Sequence, residues 1–174
     1  RFKEFCLEYG RDLQLIFEPG KFLVSEAGAF LTTVNSTKTT PSTVFAQVDS
    51  GFNHFPRPML YDAYHHIENI SNPEGENRLY TIVGYICETD TFGYDRQLSE
   101  VRRGDVLAFH NAGAYCSTMA SNYNSRVRPA EVLVKDGQAH LIRERETLED
   151  LTRGIVALDL FQEEVKASEE FVLN

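Results

Sequence analysis

Positive charge is scarce in this sequence: 17 lysines and arginines stand against 26 aspartates and glutamates, a net charge of −9 over 174 residues. A nucleic-acid surface needs Lys and Arg clustered on one face, so this balance argues against that class of partner. Long apolar runs are missing too. None approaches the roughly 20 residues that cross a bilayer, and no secretory leader is visible. Cysteine is limited to Cys6, Cys87 and Cys116, without the C-x-x-C spacing of a structural metal site. Three reduced thiols in a cytoplasmic protein are the expectation. Repeats, low-complexity segments and obvious linkers are also absent. What remains, 174 residues with 42% hydrophobic content, suits a single domain with a real core.

What is present reads mostly as β-structure. In RFKEFCLEYG, Phe2, Phe5, Cys6 and Tyr9 recur at helical spacing and Gly10 is a natural stop. The chain so opens inside a helix and without an initiator Met, which reads as a piece of a larger protein. LQLIFEPG predicts a buried strand ending at Pro19-Gly20, and FLVSEAGAFLTTVNSTKT a long β-branched strand with a bend at Gly28. TVFAQVDS, RLYTIVGYI and DVLAFHNAGAY predict further strands. Pro56 and Pro58 exclude a central strand or a helix interior between them. AEVLVKDGQAHLIRER places two alternating runs around Asp136-Gly137, a dipeptide that favours a two-residue type I′ hairpin. A helix is expected at TLEDLTR, where Thr147 and Asp150 form an acidic variant of the capping box. Strands separated by turns, with helices at the ends, indicate a β-barrel or sandwich.

Several groups carry chemistry, each with an ordinary alternative. Arg57 lies between two prolines that restrict its backbone, and its planar guanidinium can grip a carboxylate with two parallel hydrogen bonds. Tyr61 can add a hydroxyl to the same oxygens. An exposed loop arginine beside a core-edge tyrosine fits the pattern equally well. Cys87 follows an apolar run and precedes Glu88. A thiol is mostly protonated at neutral pH yet can release its proton, which suits a general acid, and Glu88 can accept a charge-assisted hydrogen bond from an ammonium group. A buried thiol acting as a small apolar residue is the plainer account. Gly20, in the turn Glu18-Pro19-Gly20, lets a bound anion come close, with Lys21 beside it; ordinary turns look the same. Tyr115 closes the small-residue corner NAGAY and suits either core packing or a planar ring. His65 and His66 would face opposite sides of a strand, so no metal site is expected.

Taken together and in order, EPGKFLVSEAG, RPMLYDAYHHI, ICETD, GDVLAFHNAGAY, SNYNSRVRPAEVLV and HLIRERETLEDL resemble the C-terminal part of the diaminopimelate decarboxylase family, over about Leu13 to Arg153. The resemblance implies a fold-type III, alanine racemase-like enzyme: an N-terminal (β/α) barrel holding pyridoxal 5′-phosphate, followed by a mostly β domain. On that reading residues 1–23 are the end of the barrel, 24–145 the β-barrel or sandwich domain, and 146–174 a C-terminal helix and tail. The rest of the barrel is absent from the chain. Glu18, Pro19, Gly20 and Lys21 match the segment beside the cofactor phosphate. Lys21 stands where the family has a substrate-binding arginine, keeping the charge but losing the fork. Arg57 and Tyr61 match groups that bind the substrate carboxylate, Cys87 the proton donor and Glu88 its neighbour at the substrate's distal end. Tyr115 matches a tyrosine near both cofactor and substrate, and Asn111 stands where many relatives have aspartate. The lysine that attaches the cofactor lies early in the barrel, so the piece alone is expected to be inactive. The resemblance also implies a cytoplasmic homodimer with the active site at the subunit interface. The alternatives are a decarboxylase for ornithine, arginine or carboxynorspermidine, or a non-catalytic dimerisation module.

Overall fold

The computed structural model describes residues 1–88 and 90–156; expectations for the tail from residue 157 lie outside the described residues. The chain divides into two compact units, Arg1–Ser121 and Asn122–Asn174.

In the first unit, helix α1 spans Phe2–Tyr9 and stops where expected, at Gly10 in the left-handed region (φ 79°). Strand β1 (Phe30–Thr39) pairs antiparallel with β2 (Val44–Val48) on one side. On the other side it pairs with β6 (Val106–Phe109), and β6 in turn with the short β3 (Ile67–Asn69). Strand β2 runs parallel to β4 (Asn77–Val83), which pairs antiparallel with β5 (Thr91–Ser99). The order is therefore β3-β6-β1-β2-β4-β5. The edge strands β3 and β5 approach each other, so the sheet is nearly closed, as the barrel expectation requires.

Inward alternation on β1 puts Phe30, Thr32 and Val34 in the barrel. There Phe109 meets Phe30, Phe55 and Phe92, with ring centroids 5.8, 6.1 and 5.1 Å away. Edge-to-face contacts of this kind add to the burial of large apolar side chains. Cys116 closes the core as a buried thiol.

One predicted strand does not form, and a second is shorter than expected. Residues 13–19 pair with no strand and leave Leu15, Ile16 and Phe17 exposed; an apolar run becomes a strand only with a ladder partner. Gly20–Val24 is instead a short helix, α2, followed by a single 3₁₀ turn, and the strand begins only at Phe30. The cause is a close approach between distant segments. The Gly113 N–H donates to the Ser25 carbonyl (3.0 Å) and the Ala112 N–H to that of Gly28 (2.8 Å). A Cβ on Gly113 would lie 1.9 Å from the Val24 carbonyl oxygen, so only glycine admits the contact. Residues 110–115 likewise leave the sheet and turn through Asn111 and Tyr115, both with positive φ (60° and 58°).

In the second unit, β7 (Glu131–Lys135) and β8 (Gln138–Arg143) form the predicted hairpin, with Asp136 and Gly137 both at positive φ (52° and 73°). Helix α4 (Leu148–Thr152) carries the complete capping box between Thr147 and Asp150. Among the described residues no helix is long and apolar enough to cross a membrane.

Candidate functional site

Residues 57–61 form a short helix, α3, with Pro56 as its N-cap and Pro58 in its first turn, where no intrahelical N–H is needed. Arg57 and Tyr61 are therefore four residues apart on one helical face, and the guanidinium lies over the Tyr61 ring with its Cζ 5.6 Å from the centroid. From the other side Tyr115 presents its ring at 5.5 Å. The left-handed turn at Tyr115 aims that ring outwards, and the side chain stays largely exposed. Arg57, Tyr61, Tyr115 and Met119 line a cavity of about 300 Å³. Arg57 Nε is buried without a hydrogen-bond partner, and no salt bridge among the described residues engages the side chain. A cation between two aromatic faces is stabilised by their quadrupoles while its hydrogen-bonding fork stays available.

His65 lies beneath this cation. Its Nδ1–H donates to the His110 carbonyl (2.9 Å), which fixes the tautomer, while Nε2 is buried without a partner. Burial holds its pKa below the ordinary imidazole value. Arg57, Lys21 and Arg96 push the same way, and the bond to His110 opposes them. The neighbourhood is thus rich in cations facing a neutral histidine. Arg96 on β5 stacks over Tyr64 at 4.3 Å, and its Nε is also buried without a partner.

The β4–β5 connection carries Cys87 and Glu88, both exposed, with the thiol donating to Glu88 Oε2 at 3.4 Å. Neither lines the Arg57 cavity. The structure thus brings Arg57, Tyr61 and Tyr115 together and sets Cys87 and Glu88 on a separate loop. Lys21 stands exposed on α2, and Glu18 and Pro19 precede it in the exposed approach. The Gly20 N–H donates to the Glu18 carbonyl (2.9 Å), so that amide is used within the turn, but the space over Gly20 is open. For a pyridoxal phosphate group these residues fit as the non-covalent side of a site. Lys21 offers a cation with no salt bridge among the described residues, Gly20 an unobstructed approach, and Tyr115 a ring face.

His65, Arg96 and Met119 were not among the residues expected here. His65 was weighed only as half of a metal pair, and the run of cations around it exists only after folding. Arg96 meets Tyr64 only because β5 forms, and no local signal in the sequence marks that pairing.

Comparison with known proteins identifies the family. Residues 21–113 match the family model for the pyridoxal-dependent decarboxylase C-terminal sheet domain. The chain is 47% identical over 156 residues to diaminopimelate decarboxylase of Methanothermobacter thermautotrophicus, covering 88% of this chain and 36% of that protein. It is 49% identical over 140 residues to the enzyme of Neisseria meningitidis serogroup B, covering 80% and 34%. The crystal structure of the M. jannaschii diaminopimelate decarboxylase in complex with L-lysine superposes with a TM-score of 0.77 at 43% identity, over 89% of this chain and 36% of that one. The chain spans about a third of the length of the relatives it matches.

Proposed function

This chain belongs to the pyridoxal-dependent decarboxylases, as their C-terminal sheet domain, and on that premise we propose that it serves a diaminopimelate decarboxylase converting meso-2,6-diaminopimelate to L-lysine and CO2. The observation that carries the reading is Arg57: a cation held between Tyr61 and Tyr115 at the mouth of a cavity, with a buried Nε and no carboxylate of its own. Such a group is a receptor for a carboxylate brought by a ligand. Diaminopimelate has a second amino-acid centre far from the bond that breaks, and lysine retains that centre. Relatives at 43% identity, from M. jannaschii and Helicobacter pylori, were crystallised with L-lysine.

In this mechanism Arg57 grips the distal carboxylate through two N–H groups, and Tyr61 adds its hydroxyl to the same oxygens. Glu88 accepts hydrogen bonds from the distal ammonium. Lys21, Tyr115 and the 18–20 turn would hold pyridoxal phosphate, which when bound would supply an electron sink for the pair left at the reacting carbon as CO2 departs. Cys87 then donates its Sγ proton to that carbon. Because Cys87 and Glu88 stand on a loop apart from the Arg57 cavity, the working site is composed from two subunits of a homodimer.

The test is the complete decarboxylase carrying Arg57→Ala, assayed on meso-diaminopimelate, ornithine, arginine and carboxynorspermidine. Loss of a charge-assisted bidentate contact predicts a fall in kcat/KM on diaminopimelate of about two to three orders of magnitude. Substrates without a distal carboxylate should be nearly unaffected. An equal loss on all four would remove the carboxylate assignment and favour a decarboxylase for another basic amino acid.

A further inference from the structure

We infer that Asp90 is a positioning residue for Cys87 and Glu88, its buried side chain fixing the loop on which both stand. The inference rests on the roles just proposed for those two residues. The loop is closed at its base by the Gly84 N–H donating to the Asp90 carbonyl (2.8 Å). The Asp90 side chain then folds back inside it. Oδ2 accepts the Ile86 N–H at 2.8 Å, and Oδ1 accepts the Phe52 N–H, from a different segment, at 2.6 Å. A third tie, from the Tyr85 N–H to the Ser50 carbonyl (3.0 Å), joins the same two segments. The clamped N–H belongs to the Tyr85–Ile86 peptide, one residue before Cys87, so the Asp90 carboxylate fixes the backbone from which Cys87 and Glu88 continue.

The surroundings are built around this carboxylate. Asp90 is only 6% exposed, and no salt bridge among the described residues neutralises it. Two glycines frame it. A Cβ on Gly84 would lie 2.1 Å from Asp90 Oδ2, and one on Gly51 2.9 Å from the same atom. Burial pushes the Asp90 pKa up, the amides of Ile86 and Phe52 pull it down, and Glu88 adds a further upward push. Burying an ionisable group with amides alone as partners is a costly way to close a loop. What it secures is two acceptors in one rigid plane. Asparagine cannot reproduce that, because its NH₂ would face one of the two N–H donors.

The consequence is a distinctive kinetic signature. Cys87 acts in the chemical step and Glu88 in binding, so displacing their common loop should move kcat and KM together, although Asp90 touches no substrate. A misplacement of about 1 Å can cost on the order of a hundredfold. In the complete decarboxylase, Asp90→Asn is expected to lower kcat about tenfold or more and to raise KM as well. Gly84→Ala should show the same joint change through its clash with Oδ2. A merely destabilised enzyme would instead lose active fraction, with kcat reduced and KM unchanged.

Hydrogen exchange gives an arm independent of activity. The Ile86 and Phe52 amides should exchange slowly in the wild type and lose that protection in Asp90→Asn. Fast exchange at both amides in the wild type overturns the inference, as does Asp90→Asn with unchanged KM. Should Cys87→Ala and Glu88→Gln leave both constants unchanged, the assigned roles of those residues fail instead, and the exchange data alone decide whether Asp90 holds the loop.

Discussion

At the scale of single residues, the site is defined by groups whose partners are missing or unusual. Arg57 was legible as a candidate because the flanking prolines restrict its backbone, whereas the short helix that puts Tyr61 on its face is seen only in the structure. Tyr115 completes the clamp from 58 positions away through a left-handed turn, and local sequence gives no measure of that convergence. His65 was beyond reach for the same reason, since its neutrality depends on burial and on three cations from distant segments. That state has a consequence for pH. Burial holds the folded-state pKa of His65 below the ordinary imidazole value of 6.5, so the unfolded chain takes up a proton first as pH falls. The stabilisation is complete above pH 6.5 and is lost as pH drops towards the folded-state pKa. Thermal unfolding followed by circular dichroism should show the midpoint falling below that pH, and His65→Asn should flatten this part of the profile. A variant retaining the full slope would mean that another group titrates there.

Elements read well from sequence where local chemistry decides, and badly where distant backbone does. The β7–β8 hairpin follows from Asp136-Gly137, because two positive φ values in succession are open to very few residue pairs. Helix α4 follows from Thr147 and Asp150 for a similarly local reason. By contrast, 13–19 is apolar enough for a strand but has no partner, while β3 is too short and β5 too polar to be recognised without their neighbours. Just before α4, Arg128 and Glu146 form an ion pair at 2.5 Å, and Asn122 Nδ2 also donates to Glu146 at 2.6 Å. The hydrogen bond from Arg128 is the main cause that lowers the Glu146 pKa from 4.5 to about 2, so the stabilisation holds above pH 4.5 and disappears as pH falls through about 2. Glu146→Gln should cost the second unit about 1 kcal/mol at neutral pH after allowance for solvent screening. It should also remove the acid-dependent part of the unfolding curve. Thr147→Ala should cost a further ~1 kcal/mol at neutral pH through loss of the N-cap, while leaving the Arg128–Glu146 pair in place. Urea titrations at pH 7 and pH 3 distinguish the two effects.

At the scale of the whole molecule, the composition of the site becomes a question of how many chains it takes. This chain spans about a third of the length of its relatives and leaves Phe17, Phe22 and Leu23 at 75%, 86% and 72% exposure, which is more apolar surface than a finished protein usually leaves to water. Its two sets of functional groups are equally unfinished. Arg57, Tyr61 and Tyr115 line an open cavity that neither Cys87 nor Glu88 lines, and those two stand on an exposed loop. On the function proposed above, a two-fold symmetric dimer would join the two sets, each copy lending its loop to the other's cavity. The arrangement is testable by mixing. Arg57→Ala spoils the cavity and Cys87→Ala spoils the loop, so each homodimer of the complete enzyme has two damaged sites. In a mixed dimer, one site joins the intact cavity of one subunit to the intact loop of its partner, while the other site carries both lesions. Random exchange at equal concentrations makes about half of the dimers mixed, and with one good site in two these restore about a quarter of wild-type activity. If each subunit completed its own site, no mixed dimer would contain an undamaged one, and activity would stay at the level of the parent variants.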